Sequence, residues 1–150
     1  MSRTDFYHLQ SKNLEEVLPS LLNKAYTAGK KVKVKVGNEL RVSFLNAHLW
    51  TYEDESFLPH GTAKDGFADL QPIFISADND NPNEASFLFL VDGADLEGLN
   101  LEDFERIFYI FDGKNAEALN AARKFWKTLK DTESERHYWQ QNDAGKWEEK

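Results

Sequence analysis

The run Phe87-Leu88-Phe89-Leu90-Val91 is continuously apolar, and the shorter run Ile73-Phe74-Ile75 precedes it. Such runs are typical of central strands in a parallel sheet, because other elements cover both faces of that sheet. Residues 79–83 between the two runs are turn-forming types. Residues 107–111 are rich in aromatic and β-branched side chains, which favour a further strand. The first two runs therefore predict the middle of a sheet.

A helical pattern lies near the N-terminus. Asn13 and Glu16 have the spacing of a capping box, and apolar residues recur at helical spacing from 14 to 25. Gly29 is expected to end this helix. Pro19 lies inside the pattern, so the sequence predicts either a kinked helix or a helix that begins at Pro19.

Further helices and strands alternate along the chain. A second helix is predicted after Asn38, with four apolar side chains directed inward: Leu40, Phe44, Leu45 and Leu49. Residues 31–36 alternate Lys and Val, which predicts a strand whose lysines face water or protect a sheet edge. A short helix is expected near 101–104 and a longer one over 116–130.

Strands separated by helices predict an α/β protein with an open, mostly parallel sheet flanked by helices. We expect one domain over residues 1–150, with a C-terminal strand or hairpin from about residue 136. The first strand is expected over residues 5–9, and the sequence contains neither an internal repeat nor a low-complexity linker.

The overall charge limits the function. Lys and Arg number 18 and Asp and Glu number 26, which gives a net charge of -8. An acidic protein repels phosphate backbones unless a local basic patch overrides the repulsion, so general nucleic-acid binding is disfavoured. The N-terminus lacks the pattern of a signal peptide and no apolar run is long enough to cross a bilayer, so we expect a cytoplasmic protein that makes no membrane contact.

An α/β sheet raises the question of a nucleotide site. Residues 10–13, after the first strand, contain no glycine, and no Gly-rich stretch ends in Lys-Ser or Lys-Thr. We therefore expect no nucleotide cofactor. Asp92 ends an apolar strand, as does the acid that holds magnesium in nucleotide hydrolases, but Asp92-Gly93 also fits a simple turn. A nucleotide-dependent enzyme that uses Asp92 remains an alternative.

Other catalytic patterns are missing from the sequence. Four histidines are present, and none pairs with another at metal-ligand spacing: His8, His48, His60 and His137. The chain has no cysteine, and Ser56 lacks the flanking glycines of a nucleophile elbow. We expect a non-catalytic protein without a metal site.

Residues 49–61 read Leu-Trp-Thr-Tyr-Glu-Asp-Glu-Ser-Phe-Leu-Pro-His-Gly, which we call the aromatic loop. This segment has neither a helical nor a strand period. Large apolar side chains in an irregular connection either fold back onto the core or form a patch that a partner protein covers. The aromatic loop therefore favours a binding role over a catalytic one.

The last predicted helix has two faces. Its core face is apolar: Ala118, Ala122, Phe125 and Leu129. Arg123, Lys127 and Lys130 fall at i, i+4 and i+7 on a neighbouring face, and Trp126 lies between the two faces. Cations beside an indole suit a ligand with negative charge and an apolar group, such as the acidic C-terminal end of a peptide. The pattern also fits a solvated basic face with Trp126 at the rim of the core.

The chain resembles the chi subunit family of bacterial DNA polymerase III holoenzyme. Four segments carry the likeness: Phe-Tyr-His-Leu at 6–9, Leu-Trp at 49–50 followed by Ser-Phe-Leu-Pro-His-Gly at 56–61, Leu-Val-Asp at 90–92, and Ala-Arg-Lys-Phe-Trp-Lys at 122–127. The resemblance implies a Rossmann-like fold without nucleotide chemistry. It also implies a non-catalytic accessory protein that links the clamp loader to single-stranded DNA-binding protein (SSB).

The resemblance assigns the SSB site to the last helix. There the acidic SSB tail, which ends in an apolar residue, is expected to bind Arg123, Trp126 and Lys127, and Lys130 extends the row. Trp126 stands where family members can carry Tyr. DNA is then reached only through SSB. Direct nucleic-acid binding through the alternating lysines is the remaining alternative: Lys31, Lys33 and Lys35.

The resemblance assigns a second partner to the aromatic loop. The psi subunit, or another component of the clamp loader, is expected to bind Trp50 and Phe57, together with Leu58 and Pro59. A helicase is a further candidate partner of this loop.

Overall fold

The computed structural model describes residues 3–51, 60–130, 132 and 134–150. The described residues form eight strands and three α-helices, which are, in chain order, β1 (Arg3–Leu9), α1 (Leu14–Thr27), β2 (Val32–Val36), α2 (Glu39–Thr51), β3 (Gly61–Thr62), β4 (Ile73–Ser76), β5 (Phe87–Val91), β6 (Arg106–Asp112), α3 (Ala116–Lys130), β7 (Glu135–Gln141) and β8 (Trp147–Glu149). Three short 3-10 turns accompany them: Ala63–Asp65, Ala68–Leu70 and Leu101–Asp103.

The strands form one sheet in the order β3-β4-β2-β5-β6-β1-β7-β8. All neighbouring strands are parallel except β7 and β8, which pair antiparallel. The predicted α/β class with a mostly parallel sheet is confirmed. Because β7 pairs along β1, the C-terminal hairpin is part of the main sheet.

The two faces of the sheet bury separate cores. Buried residues of α1 and α2 share one cluster with Val34, Phe89 and Phe108. Buried residues of α3 share the other cluster with Phe6 and Leu88. Strand side chains alternate between the faces, so a single strand such as β5 contributes to both cores and must be apolar throughout.

Helix α1 begins with the predicted capping box and includes Pro19. The alternative that the helix begins at Pro19 is therefore wrong. Proline has no N–H and cannot bond the carbonyl four residues earlier. That carbonyl, of Glu15, instead accepts a hydrogen bond from Nε2 of His48 in α2 at 2.7 Å. His48 thereby helps the helix to tolerate its internal proline.

Helix α2 begins after Asn38, whose side chain accepts a hydrogen bond from the Arg41 N–H at 2.9 Å. The predicted inward face is correct for Leu45 and Leu49 and wrong for two other residues. Leu40 is 85% exposed and Phe44 is 49% exposed. The buried stripe is Val42, Leu45 and Leu49, with spacing i, i+3 and i+7, which places Leu40 and Phe44 on the opposite side of the helix.

The expectation that the lysines of β2 face water or protect an edge is wrong. Strand β2 lies between β4 and β5, and Lys33 and Lys35 are only 1% and 5% exposed. Lys33 Nζ donates to Ser76 Oγ and, at 2.7 Å, to Asp80 Oδ1. Its aliphatic chain lies in the sheet while the ammonium reaches polar groups at the end of β4 and just beyond it.

Lys35 is satisfied in the same way. Its Nζ donates to Asn79 Oδ1 and to the Asp95 carbonyl, both at 2.6 Å. Of the three alternating lysines only Lys31 is exposed. Direct nucleic-acid binding through these lysines requires an exposed basic surface, and β2 does not have one. Among the described residues no helix is long and apolar enough to cross a membrane.

Candidate functional site

Helix α3 has the predicted bounds, and its apolar face is buried as expected at Ala122, Phe125 and Leu129. The three predicted cations are all exposed: Arg123, Lys127 and Lys130. Because the chain leaves β6, crosses the sheet as α3 and returns as β7 on the far side of β1, the helix packs on β6 and β1, and its Trp126 reaches Tyr138 of β7. The cations thus border a surface that β1 and β7 complete.

Trp126 is half-buried and packs against the core of this face. The centre of its indole lies 5.2 Å from the Phe6 ring and 5.9 Å from the Tyr138 ring. The Arg136 guanidinium lies 4.4 Å from the indole centre and donates from Nη1 to the Trp126 carbonyl at 2.9 Å. The indole therefore sits at the rim of the core, and a cation already covers one of its faces.

Three residues of this surface were not anticipated from the sequence: His8, Arg136 and Tyr138. The Tyr138 hydroxyl lies 2.5 Å from His8 Nδ1. The three residues come from β1 and β7, which are distant in sequence and become neighbours only in the sheet. The alternation of β7 places Arg136 and Tyr138 on one face, but the sequence does not reveal that this face meets α3.

We call Arg123, Trp126, Lys127, Lys130, Arg136, Tyr138 and His8 the α3 surface. Its four Lys and Arg side chains have no described carboxylate within ion-pairing distance. In a chain of net charge -8 this leaves a local region of positive potential. Burial raises the pKa of Tyr138, and the nearby positive charge of Arg123 opposes that rise.

The close contact between His8 and the turn after β6 requires a glycine. A Cβ built on Gly113 would lie 1.9 Å from His8 Nε2. Asp112 ends β6 and Gly113 follows it, residue types that favour a turn at the end of a strand. The glycine is needed for space beside the imidazole, since a larger residue would displace His8 from Tyr138.

Of the aromatic loop, Phe57, Leu58 and Pro59 lie outside the described residues. Trp50 is 48% exposed, and its ring centre lies 4.2 Å from that of His60. His60 is itself buried, with Nε2 3.1 Å from the Asn46 carbonyl. The structure thus leaves about half of the Trp50 side chain accessible.

Two further exposed apolar residues lie between β3 and β4 and were not singled out from the sequence. Phe67 is 75% exposed and Leu70 is 69% exposed. Phe67 also has a positive φ of 52°, a conformation that non-glycine residues rarely adopt. Isolated apolar residues in loops are common, so the sequence offered no reason to select these two.

Asp92 occupies a turn, with a φ of 53° followed by Gly93 at 76°. Its carboxylate accepts a hydrogen bond from Arg41 Nε at 2.9 Å, and Arg41 also contacts Glu15 at 2.5 Å. These residues line a cleft of about 1000 Å³ at the carboxyl edge of the sheet. No group of three or more potential metal ligands occurs within the part of the chain that the structure describes.

The connection between β1 and α1 is where Rossmann proteins place a phosphate. Here the N–H groups of Gln10, Ser11 and Lys12 all donate to one oxygen, Oε1 of Gln141, at 2.9, 3.2 and 3.2 Å. Gln141 is only 1% exposed and ends β7. The backbone N–H groups of this connection therefore already bind a side chain of the protein itself, Gln141 of the C-terminal hairpin.

A sequence model of the family described as DNA polymerase III chi subunit, HolC, matches residues 1–137. The chain belongs to this family. It is 28% identical over 109 residues to the probable DNA polymerase III subunit chi of Rickettsia prowazekii (strain Madrid E), covering 72% of this chain and 66% of the relative. It is 32% identical over 68 residues to DNA polymerase III subunit chi of Pseudomonas aeruginosa, covering 43% of this chain and 48% of the relative.

Membership of the chi subunit family confirms the resemblance noted from the sequence, and it places the chain among replication subunits. The chain spans less than two thirds of the length of these two relatives. The residues matched by the family include His8, Arg123, Trp126 and Lys127, whereas Tyr138 lies one position beyond the match.

Proposed function

We propose that this chi-family chain is a non-catalytic, cytoplasmic replication adaptor that binds the C-terminal tail of SSB through the α3 surface and the clamp loader through Trp50. The observation that carries the proposal is a group of exposed cations, Arg123, Lys127 and Lys130, which pair with no described carboxylate and lie beside the half-buried indole of Trp126, on which Arg136 stacks. Carboxylates of an acidic tail would neutralise these charges, and the accessible part of the indole would contact the terminal apolar side chain.

The size of this interaction follows from its parts. Burying a Phe-sized side chain contributes ~1.5–3 kcal/mol, and hydrogen bonds to charged groups contribute ~1.5–3 kcal/mol each. Ordering of the peptide and of long side chains removes a large part of this gain. A micromolar dissociation constant, about 8 kcal/mol, is reasonable for so small a contact.

Psi, or an equivalent subunit of the clamp loader, is the proposed partner of the other surface. Support comes from the accessible half of Trp50 at the end of α2, on a different part of the fold from α3. An adaptor needs two surfaces that can be occupied at once, and residues on opposite faces of one sheet meet that need. A helicase would compete with psi if it used the same indole.

The peptide site is tested by fluorescence anisotropy of a short labelled peptide, acidic and ending in Phe. We expect the Arg123→Glu, Lys127→Glu double variant to weaken binding at least about tenfold, because two attractive charges become repulsive. The matched control is Lys24→Glu, Lys64→Glu, which makes the same change in net charge at exposed lysines away from α3. Equal affinity of the two double variants would refute the assigned site.

A further inference from the structure

His8 and Tyr138 form a hydrogen-bonded pair on the α3 surface, with the Tyr138 hydroxyl 2.5 Å from His8 Nδ1. The Tyr138 ring stacks on Phe6 at 6.3 Å and meets the edge of the Trp126 indole at 5.9 Å. Both side chains are partly exposed. The Tyr138 ring therefore lies beside the indole, and its hydroxyl reaches His8 on β1.

The direction of this hydrogen bond depends on the proton of His8. A neutral imidazole whose proton is on Nε2 accepts the Tyr138 hydroxyl hydrogen at Nδ1. A protonated imidazole must donate from Nδ1, so the Tyr138 oxygen becomes the acceptor. The hydroxyl hydrogen is then released and can turn towards an anion on the α3 surface.

The surroundings favour the neutral form of His8 when no ligand is bound. Burial is the largest effect and lowers its pKa; the Asp112 carboxylate raises it and the Arg123 guanidinium lowers it, with a net result below the ordinary value. The remaining close neighbours, Phe111 and Gly113, carry no charge. A carboxylate placed beside this pair would favour the protonated imidazole.

We propose that Tyr138 and His8 are a further part of the peptide site, in which the Tyr138 hydroxyl donates to a carboxylate of the bound acidic tail only when His8 is protonated. This inference rests on the proposed function, since it requires an acidic peptide on the α3 surface. The site then binds its ligand together with a proton, and its affinity rises as the pH falls.

The expected pH dependence is specific. From about pH 8 to about pH 5.5 the peptide carboxylates remain ionised, so histidine is the side chain expected to change its charge. Affinity of the unmodified protein should rise several-fold across this range. Tyr138→Phe and His8→Gln should lose most of that rise, which is measured in each protein as the ratio of its affinity at about pH 5.5 to its own affinity at about pH 8.

His137 is the matched control, because it is adjacent to Tyr138 in sequence but contacts Glu149 and Glu135 instead. His137→Gln should keep the full pH dependence. NMR titration of the His8 imidazole in the unmodified protein needs no variant, and peptide should raise the pH at which His8 titrates by the amount that matches the change in affinity.

A flat affinity profile for the unmodified protein, or an unchanged profile for His8→Gln, would overturn the coupling. A His8 titration that peptide does not shift would do the same. These outcomes leave the proposed function intact as long as Arg123→Glu, Lys127→Glu still weakens peptide binding at least about tenfold. Conversely, normal binding by that double variant removes the peptide site itself.

Discussion

Lys33 and Lys35 of β2 and Lys127 and Lys130 of α3 are the same residue type in two regions with different surroundings. The lysines of β2 are buried and bonded to side chains and a carbonyl beyond the strand ends. The lysines of α3 are exposed, and no described carboxylate pairs with them. A central strand places its long side chains between layers, whereas the outer side of a helix leaves them in water.

The buried lysines of β2 and the exposed lysines of α3 differ in whether the chain supplies acceptors for them. Where the chain requires lysine for structure, it also provides acceptors, as Ser76 and Asp80 do for Lys33. On α3 the exposed positive charges have no such acceptors among the residues that the structure describes. Unpaired surface cations add little to stability, and their long-range field is available to an external anion.

The largest expected effect is on stability at β2. Lys33→Ala should lower the free energy of unfolding by ~2–4 kcal/mol, because it removes a buried aliphatic chain and leaves Ser76 and Asp80 without their donor. Lys127→Ala, the exposed control, should change it by less than ~0.5 kcal/mol. Urea denaturation monitored by circular dichroism measures both.

Lys33→Met separates packing from polar contacts, because Met keeps most of the side-chain volume but removes the ammonium and its hydrogen bonds to Ser76 and Asp80. It should be less destabilising than Lys33→Ala. If Lys33→Ala and Lys127→Ala had equal stability, the β2 lysine would have no structural role and the contrast with α3 would fail.

Local sequence patterns predicted the helices and strands themselves better than they predicted which elements lie next to one another. The capping box at Asn13 and the bounds of α3 follow from spacing within one segment, and both are present. The burial of Lys33 depends on β2 lying between β4 and β5, which alternation within the strand cannot reveal. The alternating Lys-Val pattern alone does not distinguish an edge strand from a central one.

For the α3 surface too, residues within one element were predicted and residues from other elements were missed. Helical spacing brought Arg123, Trp126 and Lys127 together correctly, because they share one element. His8 and Tyr138 were missed because β1 and β7, separated by most of the chain, become neighbours through a crossover. The packing of the Arg136 guanidinium on the indole likewise arises from tertiary contact and has no sequence pattern of its own.

A smaller effect is expected on peptide affinity within α3. Lys127→Glu should weaken binding about fivefold, whereas Lys124→Glu should leave it within about twofold, because only Lys127 belongs to the α3 surface. Lys124 is also exposed on the same helix but lines the cleft at the carboxyl edge. Anisotropy titrations at equal ionic strength compare the two, and equal weakening would mean that net charge alone attracts the peptide.

The smallest effect concerns the acid side of the β2 network. Burial opposes ionisation of Asp80, but hydrogen bonds from Lys33 and Ser76 outweigh it and hold the pKa of the carboxyl below its ordinary value of 3.8. A depressed carboxyl pKa stabilises the fold above that ordinary value, and this stability is lost as the pH falls through the folded-state pKa. Because Asp80 is about half exposed, with 48% of its side chain accessible, solvent screening limits the contribution to less than ~1 kcal/mol.

Asp80→Asn isolates that contribution, because other carboxyls such as Asp5 titrate alike in both proteins. The unmodified protein should be more stable than Asp80→Asn at neutral pH, and the difference should shrink as the pH falls below about 3.8. Urea denaturation at several acidic pH values measures the difference. A difference independent of pH would mean that the Lys33 ammonium does not stabilise the Asp80 carboxylate, and the buried lysine would then be held by its aliphatic chain and Ser76 alone.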